Sequence, residues 1–286
     1  MRNLLDAINT IVRSRNRNVN DSGFSHNRAN SAGEALEDYV KDAFADAFGL
    51  PKPERDVKRS EVFSYLGNAS NPPDAMLKES YAIEIKKIES PTAELALNSS
   101  YPKDKLYSTS ASITKACREC ETWSEKEMLY AVGHVDKTDK KLHSIFFFFG
   151  TNYCADKEVY ESAKKLVKDA VNGIEPLDLG QTEELGRVNK VDPLEITYMR
   201  VRGMWHIKNP MVVFRDHYYY YVPKEAPFFL ACIIDEEKLE AMANSSILDA
   251  LAEEFEKFSV SDIRIQDPNN PAVLKNAKMI LYYESN

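Results

Sequence analysis

The sequence predicts a mixed α/β fold, a central mixed β-sheet flanked by helices, with additional α/β elements toward its end. Three observations predict it. Apolar residues recur at helical spacing in some segments and alternate with period 2 in others, and the two kinds of segment interleave along the chain. Hydrophobic residues make up 43% of the 286 residues, enough for a sizeable core. No apolar run reaches the roughly 18 residues of a membrane span, and four cysteines in a chain this long make no disulfide framework.

The first element is a short amphipathic helix over residues 3–13, with Leu4, Leu5, Ile8, Ile11 and Val12 on one side. Its start lacks the order of a signal peptide. Asp6 follows Leu4 and Leu5 at once, and Arg13, Arg15 and Arg17 come after the apolar turn. A soluble, cytoplasmic protein with no membrane partner is expected. Residues 14–30 are rich in Asn, Ser and Arg and cannot pack a core. They read as a connector, or as a loop that orders on a phosphate backbone. Ser31 and Glu34 have capping-box spacing and predict the next helix start. The stripe Ala32, Ala35, Leu36, Tyr39, Val40, Ala43, Phe44, Ala47 and Phe48 carries that helix to Gly49, which ends it. Glu37 sits at the edge of the stripe, so it is the acid best placed to reach inward. A solvated boundary glutamate is the alternative. Gly33, one turn earlier, leaves room for another element to approach.

Strands are predicted over residues 62–66, 74–77 and 82–88, then a loop over 90–110. A helix over 112–123 carries Ile113, Ala116, Cys117 and Cys120 on one face. The cysteines read as core, because no second pair completes a zinc set. Strands over 128–135 and 142–149 follow, the second with four buried phenylalanines at 146–149. Beyond them come a helix over 157–171, a polar connector to 192, and strands over 194–201, 211–222 and 228–234. An acidic helix over 236–258 and short strands over 262–265 and 279–283 close the chain.

Charge is unevenly spread. The net charge of −8 argues mildly against a nucleic-acid partner. Residues 235–257 alone carry eight acids against two lysines, however, while residues 198–215 hold Arg200, Arg202, Lys208 and Arg215 with no acid. Distribution matters more than the total for steering a charged partner.

The chemistry concentrates on residues 71–88. Period 2 puts Ile83 and Ile85 on one face of a strand and Glu84 and Lys86 on the other. Asp74 follows a Pro72-Pro73 turn, and a hairpin would bring it beside Glu84. Two carboxylates at one point bind Mg²⁺ through hard oxygen ligands. The metal can polarise a phosphoryl oxygen and lower the pKa of a bound water. A lysine two residues along can hold or deprotonate that water, or neutralise charge on the phosphate. The bare triple also fits an exposed hairpin with a surface Glu/Lys pair.

Pro73-Asp74, Glu84 and Lys86 resemble the PD-(D/E)xK nuclease signature, which implies a restriction-endonuclease-like core. The resemblance becomes more specific over several stretches: Asn27-Arg28-Ala29-Asn30, Glu37-Asp38-Tyr39-Val40, Ser64-Tyr65-Leu66-Gly67-Asn68, Asn71-Pro72-Pro73-Asp74, Glu84-Ile85-Lys86-Lys87-Ile88-Glu89-Ser90 and Leu95-Ala96-Leu97-Asn98. From about residue 27 to 120 the chain is similar to the NgoPII family of type II restriction endonucleases. That resemblance implies Mg²⁺-dependent cleavage of double-stranded DNA within the palindrome GGCC. It implies Asp74 and Glu84 as metal ligands, Lys86 as the catalytic lysine, and Glu37 as a helix-borne acid added to the metal site. A palindrome implies a homodimer, and a restriction enzyme implies a cognate DNA methyltransferase. One endonuclease domain is expected over 1–286, with an arm at 1–30, a catalytic core at about 31–150 and recognition and dimerisation elements within 151–286. Arginine reads guanine best, so Arg200, Arg202 and Arg215 are candidate base contacts and Lys208 a phosphate contact. Asn27, Arg28 and Asn30 are candidates for backbone or base. A DNA-binding protein with the fold but no catalysis, or a nuclease directed by DNA shape, remain open at this point.

Overall fold

One large sheet runs through the molecule, and helices pack on both of its faces. The computed structural model describes residues 2–14, 16–19, 28–174, 179–180, 182 and 184–285, with 28–32 as helix backbone. Helix α1 (Leu4–Ser14) buries the predicted stripe. Helix α2 (Arg28–Ala45) starts before the Ser31–Glu34 spacing indicates, so Ser31 lies inside it and not at its cap. Arg28 and Ala29 are good helix formers, and nothing there stops the chain from coiling early. The helix also ends before Gly49. Asp46 takes a left-handed φ of 52°, and the Ala47 N–H returns to the Asp42 carbonyl at 2.9 Å, a Schellman closure.

Helix α3 (Lys52–Val62) is an element that the apolar periodicity does not predict. It has no apolar stripe, and charge fixes it in place. Arg59 donates from Nε to Asp42 Oδ1 at 2.8 Å and from Nη1 to Asp38 Oδ1 at 2.7 Å, tying α3 to α2.

The strands β1 (Phe63–Tyr65), β2 (Ala75–Leu77), β3 (Ala82–Ile88), β4 (Leu95–Asn98) and β5 (Lys105–Tyr107) follow, then α4 (Lys115–Glu119), β6 (Glu125–Val135) and β7 (Leu142–Phe149). β4 and β5 replace part of the expected loop. After them come α5 (Lys157–Asn172), β8 (Gly186–Val188), β9 (Met199–Val201), β10 (Trp205–Ile207), α6 (Pro210–Val213) and α7 (Arg215–Tyr218). The last elements are β11 (Phe229–Asp235), α8 (Glu236–Glu240), α9 (Ser246–Glu254), β12 (Phe258–Gln266) and β13 (Leu274–Tyr283).

Several predicted elements change length: the helix over 112–123 shortens to α4 and the strand over 194–201 to β9, while the strands over 262–265 and 279–283 lengthen into β12 and β13. Two more change type or split. The strand expected over 211–222 is the helical pair α6 and α7. The Asn209 side chain caps the Met211 N–H at 2.9 Å and Pro210 opens the first turn, which commits the chain to coil. The acidic helix is two helices. It breaks where Asn244 turns its amide to Asp6 of α1 at 3.1 Å.

The sheet order is β1-β2-β3-β6-β7-β11-β13-β12, with β5 paired to the start of β6. β3 runs parallel to β6 and β7 parallel to β11, and the other pairs are antiparallel. Residues of α1, α2, α8 and α9 pack on one face with Ile83, Ile85 and Phe147. Cys117 of α4, Met211 of α6, Tyr218 of α7 and Leu95 of β4 pack on the other with Tyr130 and Phe146. Both faces of β7 are thus covered, which is why its sequence is an unbroken apolar run. The close approach expected at Gly33 occurs elsewhere: a Cβ there would meet nothing within 4 Å, whereas one on Gly133 of β6 would lie 2.7 Å from Leu36 of α2. No helix among the described residues is long and apolar enough to cross a membrane.

Candidate active site

The site is built on the β2–β3 hairpin. Period 2 holds along β3: Ile83 and Ile85 enter the core on one face, and Glu84 and Lys86 leave half-buried on the other. The hairpin register sets Ala75 opposite Ile83, so Asp74 stands beside Glu84. Backbone contacts fix it. The Asp74 N–H donates to the Ile83 carbonyl at 3.0 Å, and Asp74 Oδ2 accepts the Ile85 N–H at 2.6 Å. Lys86 Nζ pairs with Glu84 Oε1 at 2.6 Å. The other oxygen, Glu84 Oε2, is buried with no hydrogen-bond partner among the described residues.

Burial and the neighbouring Glu84 carboxylate push the Asp74 pKa up to about 7, with Lys86 opposing and Glu37 adding to the rise. Burial pulls on Lys86 the other way, but the Glu84 and Asp74 charges outweigh it, and its pKa is raised. Lys86 is therefore a firmly protonated ammonium. Glu37 borders this set without joining it. Its charge acts on Asp74 and Lys86, while its carboxylate pairs with the buried Lys41 at 3.1 Å. Lys41 also donates to the Leu66 carbonyl at 3.0 Å, tying α2 to the loop that leads to Asp74.

That loop contains functional positions that the residue pattern did not single out. Gly67 has φ +81°, and a Cβ on it would lie 2.3 Å from the Asp74 carbonyl oxygen. Only glycine meets both demands. Asn68 Oδ1 accepts the N–H groups of Ser70 at 2.8 Å and Asn71 at 2.9 Å. Two more residues, Tyr130 and Lys103, stand on the Glu84 face. Lys103 lay in a predicted loop, and no sequence signal marks it.

The candidate DNA contacts lie apart from this set. Arg200 lies within β9 and Arg202 just after it, and Glu184 pairs with both, meeting Arg200 Nη2 at 2.6 Å. The segment is acid-free in sequence and not in space. Arg215 lies 3.9 Å from the Tyr219 ring centroid. Lys208 is exposed, and its carbonyl accepts the Tyr153 hydroxyl at 2.6 Å. Among the described residues these four make no hydrogen bond or ion pair with Asp74, Glu84 or Lys86. Their segment does reach the core, because β10 pairs with β4, the strand that follows β3. Arg28 and Asn30 lie in the first turn of α2, and Asn27 lies outside the described residues.

A large mixed sheet with an Asp, Glu, Lys set on adjacent strands defines the class, a restriction-endonuclease-like α/β protein. Residues 2–266 match the NgoPII restriction endonuclease family. The chain is 48% identical over 281 residues to the type II restriction enzyme NgoPII of Neisseria gonorrhoeae, covering 98% of this chain and 99% of that protein. The chain belongs to the NgoPII restriction endonuclease family, and its enzyme class is that of a type II restriction endonuclease. No solved structure matches it.

Proposed function

We propose that this protein hydrolyses phosphodiester bonds in both strands of DNA at a short palindrome, GGCC by family resemblance, with Mg²⁺ as cofactor. The observation that carries the reading is the Asp74, Glu84, Lys86 set, held on two paired strands with one carboxylate oxygen left orphaned. No group of three metal-ligating side chains stands among the described residues. Mg²⁺ needs fewer, since it binds through one or two carboxylates and completes its shell with water and phosphate. The orphaned Glu84 Oε2, and an Asp74 that is costly to ionise alone, both suit an added cation. Asp74 and Glu84 would hold it, with Glu37 bordering. When bound, the cation supplies a water of lowered pKa and neutralises charge on the phosphate.

The chain's own residues do the rest. Glu84 holds the Lys86 ammonium, which donates a hydrogen bond to the attacking water or to a phosphate oxygen. Its raised pKa suits it to orient and neutralise, and makes it a poor base. The Ile85 N–H keeps Asp74 Oδ2 fixed, so the other oxygen is left to face the site.

A palindrome calls for a homodimer with two such sites. Arg200, Arg202 and Arg215 are assigned to guanine edges and Lys208, Asn27, Arg28 and Asn30 to the phosphate backbone or bases, with recognition and dimerisation in 151–286. A cytoplasmic setting and a cognate methyltransferase complete the reading. Asp74→Ala tests it: cleavage should be abolished and DNA binding largely kept. Robust cutting by the purified Asp74→Ala protein would overturn the assignment.

A further inference from the structure

We infer that Lys103 is a second cationic contact to the scissile phosphate, delivered to the Glu84–Lys86 face by the Tyr130 hydroxyl. The inference rests on the reading of Asp74, Glu84 and Lys86 as the hydrolytic site.

Tyr130 pairs with Glu84 in the parallel β3–β6 register, so their side chains rise from one face of neighbouring strands. The Tyr130 hydroxyl accepts the Lys103 N–H at 2.8 Å and donates to the Lys103 carbonyl at 3.2 Å. One buried hydroxyl thus grips both backbone groups of a single residue. The next residue is gripped too, as the Asp104 carbonyl accepts the Met128 N–H of β6 at 3.0 Å. Gly150, just after β7, completes the seat. A Cβ on it would fall 2.3 Å from the Lys103 carbonyl oxygen and 2.8 Å from Asp104 Cα. Two β6 contacts, at Lys103 and at Asp104, and the close approach of Gly150 therefore fix the backbone of this lysine beside Tyr130.

The side chain is seated but not satisfied. Lys103 is half-buried, and Nζ donates to the Tyr101 carbonyl at 3.3 Å and lies 5.2 Å from the Tyr101 ring centroid. It makes no salt bridge among the described residues. Three other lysines around the sheet do: Lys41 pairs with Glu37, Lys86 with Glu84 and Lys126 with Glu121. An enclosed ammonium without a counter-charge is costly. Burial lowers its pKa, Glu84 pulls it back up, and Lys86 adds to the lowering. The missing partner is an anion from outside the chain. A phosphodiester has the right charge, and lysine meets it as a point charge with spare donors.

The test uses the full chain and a duplex bearing the site it cuts. Affinity is measured against salt in an Asp74→Ala background, and single-turnover cleavage in the Asp74 protein. Lys103→Met should flatten the slope of log K against log salt by about 0.9, the loss of one phosphate contact, and slow cleavage at least tenfold. Lys103→Arg keeps the charge and should keep the slope. Tyr130→Phe should slow cleavage in the same direction. A wild-type slope for Lys103→Met overturns the phosphate contact whatever the rate, and a wild-type rate for Tyr130→Phe overturns the delivery role. If the parent protein cuts and Asp74→Ala does not, either result removes this inference and leaves the hydrolytic site standing.

Discussion

Replacing Asp74 by Asn should remove activity and, without metal, stabilise the fold. Asn keeps an oxygen to accept the Ile85 N–H, so the hairpin contact survives. It removes a carboxylate whose pKa rises from 3.8 to about 7 on folding, first through burial and then through Glu84. A raised pKa means that the native state binds the proton more tightly than the unfolded chain. The contribution is therefore fully favourable below pH 4 and is lost as pH rises through about 7. Three units correspond to about 4 kcal/mol at pH 8, and at pH 5 the cost is less than half of that. For a chain of this size, about 2 °C per kcal/mol puts the Asn gain at roughly 8 °C at pH 8 and roughly 3 °C at pH 5. The assay is thermal unfolding of both proteins in EDTA across that range. Added Mg²⁺ should narrow the gap, by stabilising only the parent protein. An Asn variant no more stable than the parent at pH 8, or a gain independent of pH, would refute the electrostatic reading.

Gly67→Ala should cut cleavage more than tenfold, because a left-handed φ costs about 1 kcal/mol and the new Cβ drives the Asp74 backbone away; a wild-type rate would show that the loop gives freely. Arg59→Met leaves the buried Asp42 carboxylate only Arg55, at 3.6 Å, and should cost about 3 kcal/mol in urea unfolding, with Asp42→Leu added on top recovering part of it. Glu184→Gln frees the forks of Arg200 and Arg202 and should tighten DNA binding several-fold with a steeper salt slope; the gain should vanish in an Arg200→Ala, Arg202→Ala background if those arginines meet DNA.

The parts of the fold that could be read in sequence are those with a period. β3 and β7 were placed residue for residue, and α1 and α5 within a residue or two, because each carries its own stripe or alternation. α3 has no stripe, since its Arg59 ties to Asp38 and Asp42 exist only after folding. Residues 211–222 look like a strand by composition, and the Asn209-Pro210 helix start outweighs it. The candidate site divides in the same way. Asp74, Glu84 and Lys86 lie within one hairpin, so spacing alone brings them together. Lys103 reaches them through a tyrosine 27 residues away, and Glu184 meets its arginines across a small ribbon. Such long-range pairings leave no pattern in the chain.

Cleavage of a linear plasmid, with and without Mg²⁺, tests the central claim most directly. Discrete fragments that map to GGCC positions and form only with Mg²⁺ are the predicted result. No cleavage would contradict the hydrolytic reading of Asp74, Glu84 and Lys86, and a structureless smear would contradict recognition of a fixed sequence.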